Sequence, residues 1–217
     1  MHMAIIKGKE ISGLYKLRRS DRNKVNLTYL SAFQNYPKLM NAFPSERERL
    51  FALEATLRYY TAYDMTYGAA YSLDENINEA VMLVHSDNMD YTLARHIAAG
   101  SYSKEYRKVI KLLSKKDRAV RTALFEELDR LEAALNIPRP HIYLDFLGVA
   151  EKYQHQGRGR RLMEKVCEYA DSVQLPIMLF TNTSDDVGFY ESLGFRTIGE
   201  TTSDTFGFTN TYMMYGI

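Results

Sequence analysis

The sequence has few of the features that mark disulfide-rich, metal-binding or membrane-spanning proteins. Of its 217 residues one is a cysteine, Cys167, which excludes an intrachain disulfide and a thiolate cluster for zinc or iron–sulfur. No apolar run approaches the ~18 residues that a membrane-spanning helix needs. We therefore expect no metal and no membrane partner. A single thiol and an N-terminus without an apolar leader also favour a cytoplasmic location.

The sequence also has almost no net charge and no tryptophan. Lys and Arg number 28 against 27 Asp and Glu, so the formal net charge of +1 creates no global field that would attract nucleic acid. The basic run over residues 104–121 is followed by acidic side chains, and we interpret it as a solvated helix face. Tryptophan is absent whereas tyrosine reaches 17. Tyrosine combines an apolar ring with a polar tip, so it suits both a core and a wet pocket.

Hydrophobic periodicity predicts strands and helices around one sheet, a mixed α/β fold. "IPRP" at 137–140 is a boundary, but no linker is long enough to separate domains, so we expect one domain over 1–217. The predicted strands are 13–19, 68–74, 78–86, 141–149, 176–180, 196–202 and 209–217. The predicted helices are one after Ser20 or Asp21 that Pro37 ends, one from Ser45, most of 89–136, one to about Asp171, and one over 185–195.

The stretch "QHQGRGRRLM" (154–163) places glycines and arginines at the start of a helix that follows a strand. Free backbone N–H groups and the helix dipole make such a helix start a binding site for phosphate. Gly157 and Gly159 allow an oxygen-rich ligand to approach the backbone closely. Arginines that would be unfavourable at a positive helix end become favourable beside an anionic ligand. The stretch therefore predicts an anion site.

The glycine spacing excludes two common phosphate motifs. A P-loop would need Gly-Lys-Ser/Thr, and a dinucleotide fingerprint would need a third glycine where Leu162 stands. In contrast, "LGVAEKYQHQGRGRRLMEKV" followed by "IMLFTNTSDDVGFYESLGF" resembles the GNAT superfamily of acyl-CoA-dependent N-acetyltransferases. The resemblance covers residues 141–217, and the first 140 residues are more loosely similar to its puromycin N-acetyltransferase branch.

This resemblance implies a fold and a different binding role for each part of the chain. It implies a mixed, mostly antiparallel central sheet of six to seven strands flanked by helices, with a helical insertion before the fourth strand. Residues 1–140 would form the acceptor side and residues 141–217 the acyl-CoA side of a single domain.

The resemblance also implies a cosubstrate, acetyl-CoA, and the residues that hold it. Its pantetheine arm would bond the backbone near Leu147 and Val149, and Gly148 would mark a bulge that separates this strand from its neighbour. At the short helix, either Asn182 or Asp186 would contact the cosubstrate. Its pyrophosphate would lie on the glycine loop, which consists of Gln154, His155, Gln156, Gly157, Arg158, Gly159 and Arg160.

Acetyl transfer to an amine needs a base for the amine and a proton for the departing thiolate. Alternation along 141–149 places Ile142, Leu144 and Phe146 on one face, and His141, Tyr143 and Asp145 on the other. The resemblance turns this second face toward the acceptor. Asp145 is then either a base or a structural carboxylate, and Tyr143 lies beside it, whereas His141 is a strand-edge residue.

Two further side chains bear on the chemistry. Tyr190 in "FYESLGF" would lie near the CoA sulfur, so it is either a general acid or a packing residue. Cys167 lies on an apolar helix stripe and is expected in the core, so transfer should be direct, without an acyl-enzyme.

The predicted function is acetylation of a small-molecule amine by a monomer or homodimer. Two alternatives stay open: a non-catalytic acyl-CoA sensor or scaffold, and an enzyme that acetylates peptides or proteins. The amine should bind under the first two helices, where aromatic faces suit a cation. The candidate residues there are Tyr29, Phe33, Tyr36, Tyr59, Tyr60 and Tyr63.

Overall fold

A computed structural model describes residues 10–217, in which seven strands form one sheet in the order β1-β2-β3-β4-β5-β7-β6. β4 and β5 run parallel, and the other neighbouring strands are antiparallel. The predicted mixed, mostly antiparallel sheet is confirmed. The strands are β1 (Tyr15–Lys16), β2 (Ala69–Ser72), β3 (Glu79–His85), β4 (Ile142–Val149), β5 (Ile177–Thr181), β6 (Arg196–Ser203) and β7 (Phe208–Tyr215).

Helices cover both faces of this sheet. Pro37 ends the first helix as predicted, but it also begins a second, unpredicted one, because proline fits the first turn of a helix. Gly100, in a left-handed conformation (φ 77°), ends the first helix of the insertion before β4. The helices are α1 (Arg22–Phe33), α2 (Pro37–Ala42), α3 (Glu46–Tyr67), α4 (Leu93–Ala99), α5 (Lys104–Ile110), α6 (Lys115–Ala133), α7 (Arg158–Val173) and α8 (Ser184–Glu191). Within residues 10–217 none is long and apolar enough to cross a membrane.

The core lies on both sides of the sheet. One face packs against the apolar stripe of α7, which buries Leu162, Met163, Val166, Cys167 and Ala170. The other face packs against α1 and α3. Each large side chain buried in this way contributes about 1.5–3 kcal/mol to the stability of the sheet and its helices.

The antiparallel pairing of β3 and β4 contains a one-residue bulge. Met82 pairs with Phe146, but the next β3 residue, Leu83, pairs with Leu144, so Asp145 is the extra residue. A bulge shifts every later side chain to the opposite face. The prediction that Phe146 shares a face with Ile142 and Leu144 is therefore wrong: Phe146 packs under α1, against Tyr29 at 5.5 Å between ring centroids.

Gly148 does not form the bulge, contrary to the prediction, because it pairs in register with Ala80. Its lack of a side chain serves close packing. A Cβ atom at this position would lie 2.7 Å from Cδ1 of Tyr29, so glycine is what lets α1 approach β4.

The two parallel strands separate soon after they meet. β4 and β5 pair only at Ile142–Ile177 and Tyr143–Met178, and then diverge. The later part of β4 keeps its pairing with β3 on one edge and has no strand on the other. This gap in the sheet opens into the cavity described next.

Candidate active site

A cavity of about 860 Å³ begins at the gap between β4 and β5. At one end its wall is the glycine loop and the start of α7, and at the other it is formed by aromatic side chains of α3 and α6. Residues of β4, β5, α2 and α8 line the middle. The cavity is large enough for two ligands that meet near the centre of the sheet.

The start of α7 is built to accept an anion. Its first helical hydrogen bond runs from Arg161 N to Gly157 O, which leaves the N–H groups of 158–160 without a helical acceptor. In the described part of the chain no side-chain hydrogen bond caps this end, and the first turn carries no acidic residue. His155 (φ 58°) and Gly157 (φ 71°) hold left-handed conformations that turn the loop into the helix. The backbone fits a pyrophosphate.

The loop's side chains have other partners, which the sequence did not indicate. Arg158 forms ion pairs with Asp74, at 2.9 Å, and with Glu79 of β3. Arg160 lies at the cavity wall and donates to Ser192 Oγ. Gln156 donates to the carbonyl of Lys152 and does not line the cavity. An anion at this loop would therefore meet mainly backbone N–H groups, because the Arg158 and Arg160 side chains already have partners.

The unpaired edge of β4 leads from this loop to the middle of the cavity. Leu147 and Val149, both predicted contacts of acetyl-CoA, line the cavity. Gln154 folds back and donates from Nε2 to the carbonyl of Val149 at 3.0 Å. Gly159 faces this edge, since a Cβ atom there would lie 3.4 Å from Cγ2 of Val149. The edge and the loop thus form one continuous surface.

α8 contributes the wall opposite β4. Asp186 lines the cavity and accepts hydrogen bonds from Tyr36 at 3.1 Å and Thr181 at 2.8 Å. The side chain of Asn182 instead bonds the carbonyl of Thr209 and the side chain of Asn210, and it does not line the cavity. Of the two predicted contacts at this helix, Asp186 is the one that the cavity contains.

Tyr190 also belongs to the α8 wall. Its ring is 7% exposed and packs against Phe189 and Phe195. Its hydroxyl makes no hydrogen bond with any of residues 10–217, so it is not tied to the backbone there. Burial, and then the nearby Asp186, raise the pKa of Tyr190 well above its ordinary value. The phenol therefore stays protonated at neutral pH.

Asp145 lines the cavity on the face of β4 that alternation predicts for it, and its carboxyl lies beside Asp64 of α3. Burial raises the pKa of Asp145 to about 6, against the opposing effects of a hydrogen bond with Asp64 and of the Lys38 ammonium. Tyr143, on the same face of β4, is 5% exposed and lines the cavity beside it. His141 does not line the cavity; its Nδ1 contacts the carbonyl of Pro138 at 2.7 Å.

An aromatic group forms the far end of the cavity around His96. This imidazole stacks on Tyr59 at 4.0 Å and contacts Ser101 Oγ at 2.9 Å. Burial lowers the pKa of His96 to about 4, so it is neutral at physiological pH. Of the six aromatic residues predicted to bind the acceptor, Phe33, Tyr36, Tyr59 and Tyr60 line the cavity, whereas Tyr29 and Tyr63 are fully buried in the core.

Carboxylates of α6 face the same end. Asp129 and Glu132, one helical turn apart, line the cavity. Burial, and then the charge of Asp145, raise the pKa of Glu132 to about 7. Together with the aromatic rings, these carboxyl groups suit a positively charged organic ligand.

The sequence did not indicate three residues of the site: Lys38 and Glu132, which line the cavity, and Asp64, which lies behind Asp145. Lys38 follows Pro37 in a segment predicted as a break, and its Nζ lies 4.7 Å from the ring centroid of Phe180. Asp64 lies on the buried side of α3, and a charged residue within "TAYDMTY" was a signal that could have found it. Glu132 looked like an ordinary residue of a solvated helix, and only its packing brings it into the cavity. Among residues 10–217, no group of three acidic, histidine or cysteine side chains could hold a metal.

Comparison with known proteins places these features in a family. The sequence model of the acetyltransferase (GNAT) family matches residues 69–195, which is more than half of the chain. Among curated proteins, none matches the sequence significantly.

Several solved structures are similar over nearly the whole chain. One is a histone acetyltransferase HPA2 and related acetyltransferase from Corynebacterium glutamicum, with 16% identity, a TM-score of 0.62 and 93% of each chain covered. Another is the ribosomal-protein-S18-alanine N-acetyltransferase of Escherichia coli, with 14% identity, a TM-score of 0.51, and 93% of this chain and 91% of that one covered. A third is a putative arylalkylamine N-acetyltransferase 7 from the yellow fever mosquito, with 12% identity, a TM-score of 0.66, and 93% and 85% covered. At these TM-scores the three structures share the fold of this chain, and at these identities the likeness shows the fold alone.

Proposed function

Since this chain belongs to the acetyltransferase (GNAT) family, we propose that it transfers the acetyl group of acetyl-CoA directly to a small, positively charged organic amine. The observation that carries this proposal is the single cavity that joins an uncapped helix start to an aromatic end lined with carboxyl groups. Acetyl-CoA would supply the activated acetyl group from the first end, and the amine would enter from the second.

Acetyl-CoA would be held mainly by backbone groups. The free N–H groups of residues 158–160 would bind the pyrophosphate, with Arg160 at its side, and the unpaired edge at Leu147 and Val149 would bond the pantetheine arm. Asp186 is supported as the contact at α8 by its place in the cavity wall. The loop residues that line the cavity would hold the cosubstrate through their main chain, and the Arg158 side chain would act indirectly by anchoring the loop to β3.

Asp145 would accept the proton that the ammonium group of the acceptor must lose before it can attack. With a pKa raised to about 6, its carboxylate is ionised at neutral pH and is a stronger base than an exposed aspartate. The new C–N bond forms as the C–S bond breaks, and Tyr190 would give its phenolic proton to the departing thiolate. The acylated nitrogen then loses its surplus proton, which returns through water to Tyr190 and restores the phenol. Tyr143 would help to enclose the acceptor beside Asp145.

Direct transfer is supported by the position of Cys167. This thiol is buried against the opposite face of the sheet, outside the cavity, and burial raises its pKa to about 12. A thiol that holds its proton so firmly is a poor nucleophile. The chemistry therefore falls to the residues that line the cavity.

The cavity favours a small amine over a protein substrate. The three similar structures are named as a histone, a ribosomal-protein and an arylalkylamine acetyltransferase. The fold alone therefore does not identify the acceptor. The acceptor end is walled by Tyr60, Tyr91 and Phe125, and the Tyr60 ring contacts the other two rings and His96. Such a closed aromatic wall suits an arylalkylamine or a similar cation. We also propose a cytoplasmic enzyme, since its one cysteine is a free thiol.

The proposal is tested by release of free thiol from acetyl-CoA with a panel of phenylalkylamines, aliphatic diamines and short peptides. We expect turnover with a small amine, and Tyr60→Leu should raise its KM about tenfold through loss of one cation–π wall. Tyr215→Leu removes a tyrosine ring outside the cavity, whose hydroxyl bonds Asp171, and is the control. Binding of acetyl-CoA without turnover of any amine would favour the sensor, and turnover of peptides alone would favour a protein acetyltransferase.

A further inference from the structure

Asp64 is a buried acid that the reaction outlined above does not use. It lies one turn from the C-terminal end of α3 and is 0% exposed. Neither of its carboxyl oxygens has a donor among residues 10–217 if both it and Asp145 are ionised. The C-terminal end of a helix further disfavours a negative charge. A bare carboxylate here would be costly, so its protonation state needs an explanation.

The explanation is the neighbouring carboxyl of Asp145. The two carboxyl groups lie within hydrogen-bonding reach of each other, and since carboxylate oxygens only accept, a bond between them requires a proton. Oδ2 of Asp145 is likewise buried and has no other donor among the described residues. Burial, and then the charge of Asp145, raise the pKa of Asp64 well above its ordinary value, so Asp64 is the member that keeps the proton.

The surroundings of Asp145 bias the pair toward a single negative charge. Lys38 from α2 is the cation that faces it, and its ammonium favours one ionised carboxyl. The phenols around it stay protonated at neutral pH, and a second acid, Glu132, faces it from α6. The groups whose charge interacts with Asp145 are Tyr29, Lys38, Tyr60, Asp64, Tyr91, Glu132 and Tyr143.

We propose that Asp64 is a positioning residue for Asp145: it holds one proton against the inner side of that carboxylate and keeps the other side ionised toward the acceptor. This inference rests on the proposed function of Asp145 as the base. When the ammonium of the acceptor loses a proton, an N–H bond breaks and an O–H bond forms on Asp145. The pair then carries two protons and no charge until one proton leaves to water.

Asp145 is also the extra residue of the bulge in β4. The bulge turns Phe146 to the face that Asp145 occupies, where Phe146 packs under α1. A purely structural carboxyl in this place would be satisfied by backbone or side-chain donors. Thr61 donates to Asn26 Oδ1 at 3.0 Å instead, and among residues 10–217 neither Thr61 nor Asn26 donates to Asp64.

The test compares Asp64→Leu, which removes the proton donor, with Asp64→Asn, which keeps a donor of the same shape. In Asp64→Leu the acidic limb of the kcat/KM profile should move up by about one pH unit, because Asp145 loses the hydrogen bond that favours its charged form. In Asp64→Asn the limb should stay near that of the parent. An acidic limb in folded Asp64→Leu that coincides with the parent would overturn the proposal.

A second readout does not need activity. In protein labelled with ¹³C at the aspartate carboxyl, the parent should show a coupled pair, one member titrating near 6 and the other far above the usual range. Asp64→Asn should remove the higher titration and keep the lower one. Independent titration of both carboxyls in the ordinary range would overturn the proposal even if Asp64→Leu does not fold. A parent that titrates as expected but acetylates no amine would instead contradict the proposed function.

Discussion

At the scale of single residues, Tyr190 combines the properties that a proton donor needs. Its ring is fixed between Phe189 and Phe195, so the position of the hydroxyl is defined. The hydroxyl has no partner among residues 10–217 and lies in the wall of the cavity. Its raised pKa keeps the proton in place across the working range of pH. A packing residue would need the first of these properties alone.

Tyr190→Phe should therefore lower kcat about 10²-fold or more while leaving the fold and the affinity for acetyl-CoA nearly unchanged. The ring and its packing remain, and only the donor is lost. Steady-state kinetics with a working acceptor and calorimetry with acetyl-CoA measure the two quantities. Tyr215→Phe removes a hydroxyl bonded to Asp171, away from the cavity, and is the control. If kcat of Tyr190→Phe stays within about threefold of the parent, Tyr190 is a packing residue.

At the scale of elements, the start of α7 depends on two glycines in different ways. Gly157 has a left-handed backbone (φ 71°) with open space around it, so a substitution there strains the turn itself. Gly159 has an ordinary helical backbone, and a Cβ atom would make normal contacts with Val149 at 3.4 Å and Phe189 at 3.8 Å. A larger side chain at Gly159 would thus change the ligand surface more than the fold.

Gly159→Val should fold but bind acetyl-CoA at least tenfold more weakly, because its methyl groups would occupy the space between the loop and the β4 edge. Calorimetry measures the affinity, and circular dichroism measures the fold. Gly188→Val, which makes the same change on an exposed part of α8 outside the cavity, should bind acetyl-CoA as the parent does. Unchanged affinity in folded Gly159→Val would contradict a pyrophosphate site at this loop.

At the scale of the whole molecule, the protonated Asp64 links folding to pH. Its ordinary pKa of 3.8 applies to the unfolded chain, and the folded value lies well above this. The folded state therefore binds more protons than the unfolded state above pH 4. Stability from this group is fully present below that pH and is lost as the pH rises toward the folded pKa.

Asp64→Asn should consequently be more stable than the parent at neutral pH, and its advantage should grow by up to about 1.4 kcal/mol per pH unit while Asp64 stays protonated. The amide needs no proton to be buried without charge. Urea unfolding at pH 6, 7 and 8 measures the difference. Asp204→Asn makes the same chemical change at an exposed position and is the control. A difference between Asp64→Asn and the parent that does not change with pH would show that Asp64 is not protonated in the folded protein.

The sequence alone determined the order of the elements, the type of fold and the ends of the cavity. Apolar periodicity is local, so the strands at β3 to β5 and the apolar stripe of α7 could be found without the structure. The glycine loop is also contiguous, and its spacing within "QHQGRGRRLM" carried the resemblance that the family match confirms. Asp145 and Tyr190 could be singled out because both lie within the segments that carry this resemblance.

Only the tertiary structure decided which distant side chains meet. The bulge at Asp145 depends on the pairing of two strands, so simple alternation placed Phe146 on the wrong face. Arg158 forms its ion pairs with Asp74 and Glu79, which the chain brings across from an earlier hairpin. Asp64 likewise reaches Asp145 because α3 packs across the sheet. Periodicity describes neighbours along the chain, whereas the proton shared by two buried carboxyls depends on contacts that exist only after the chain has folded.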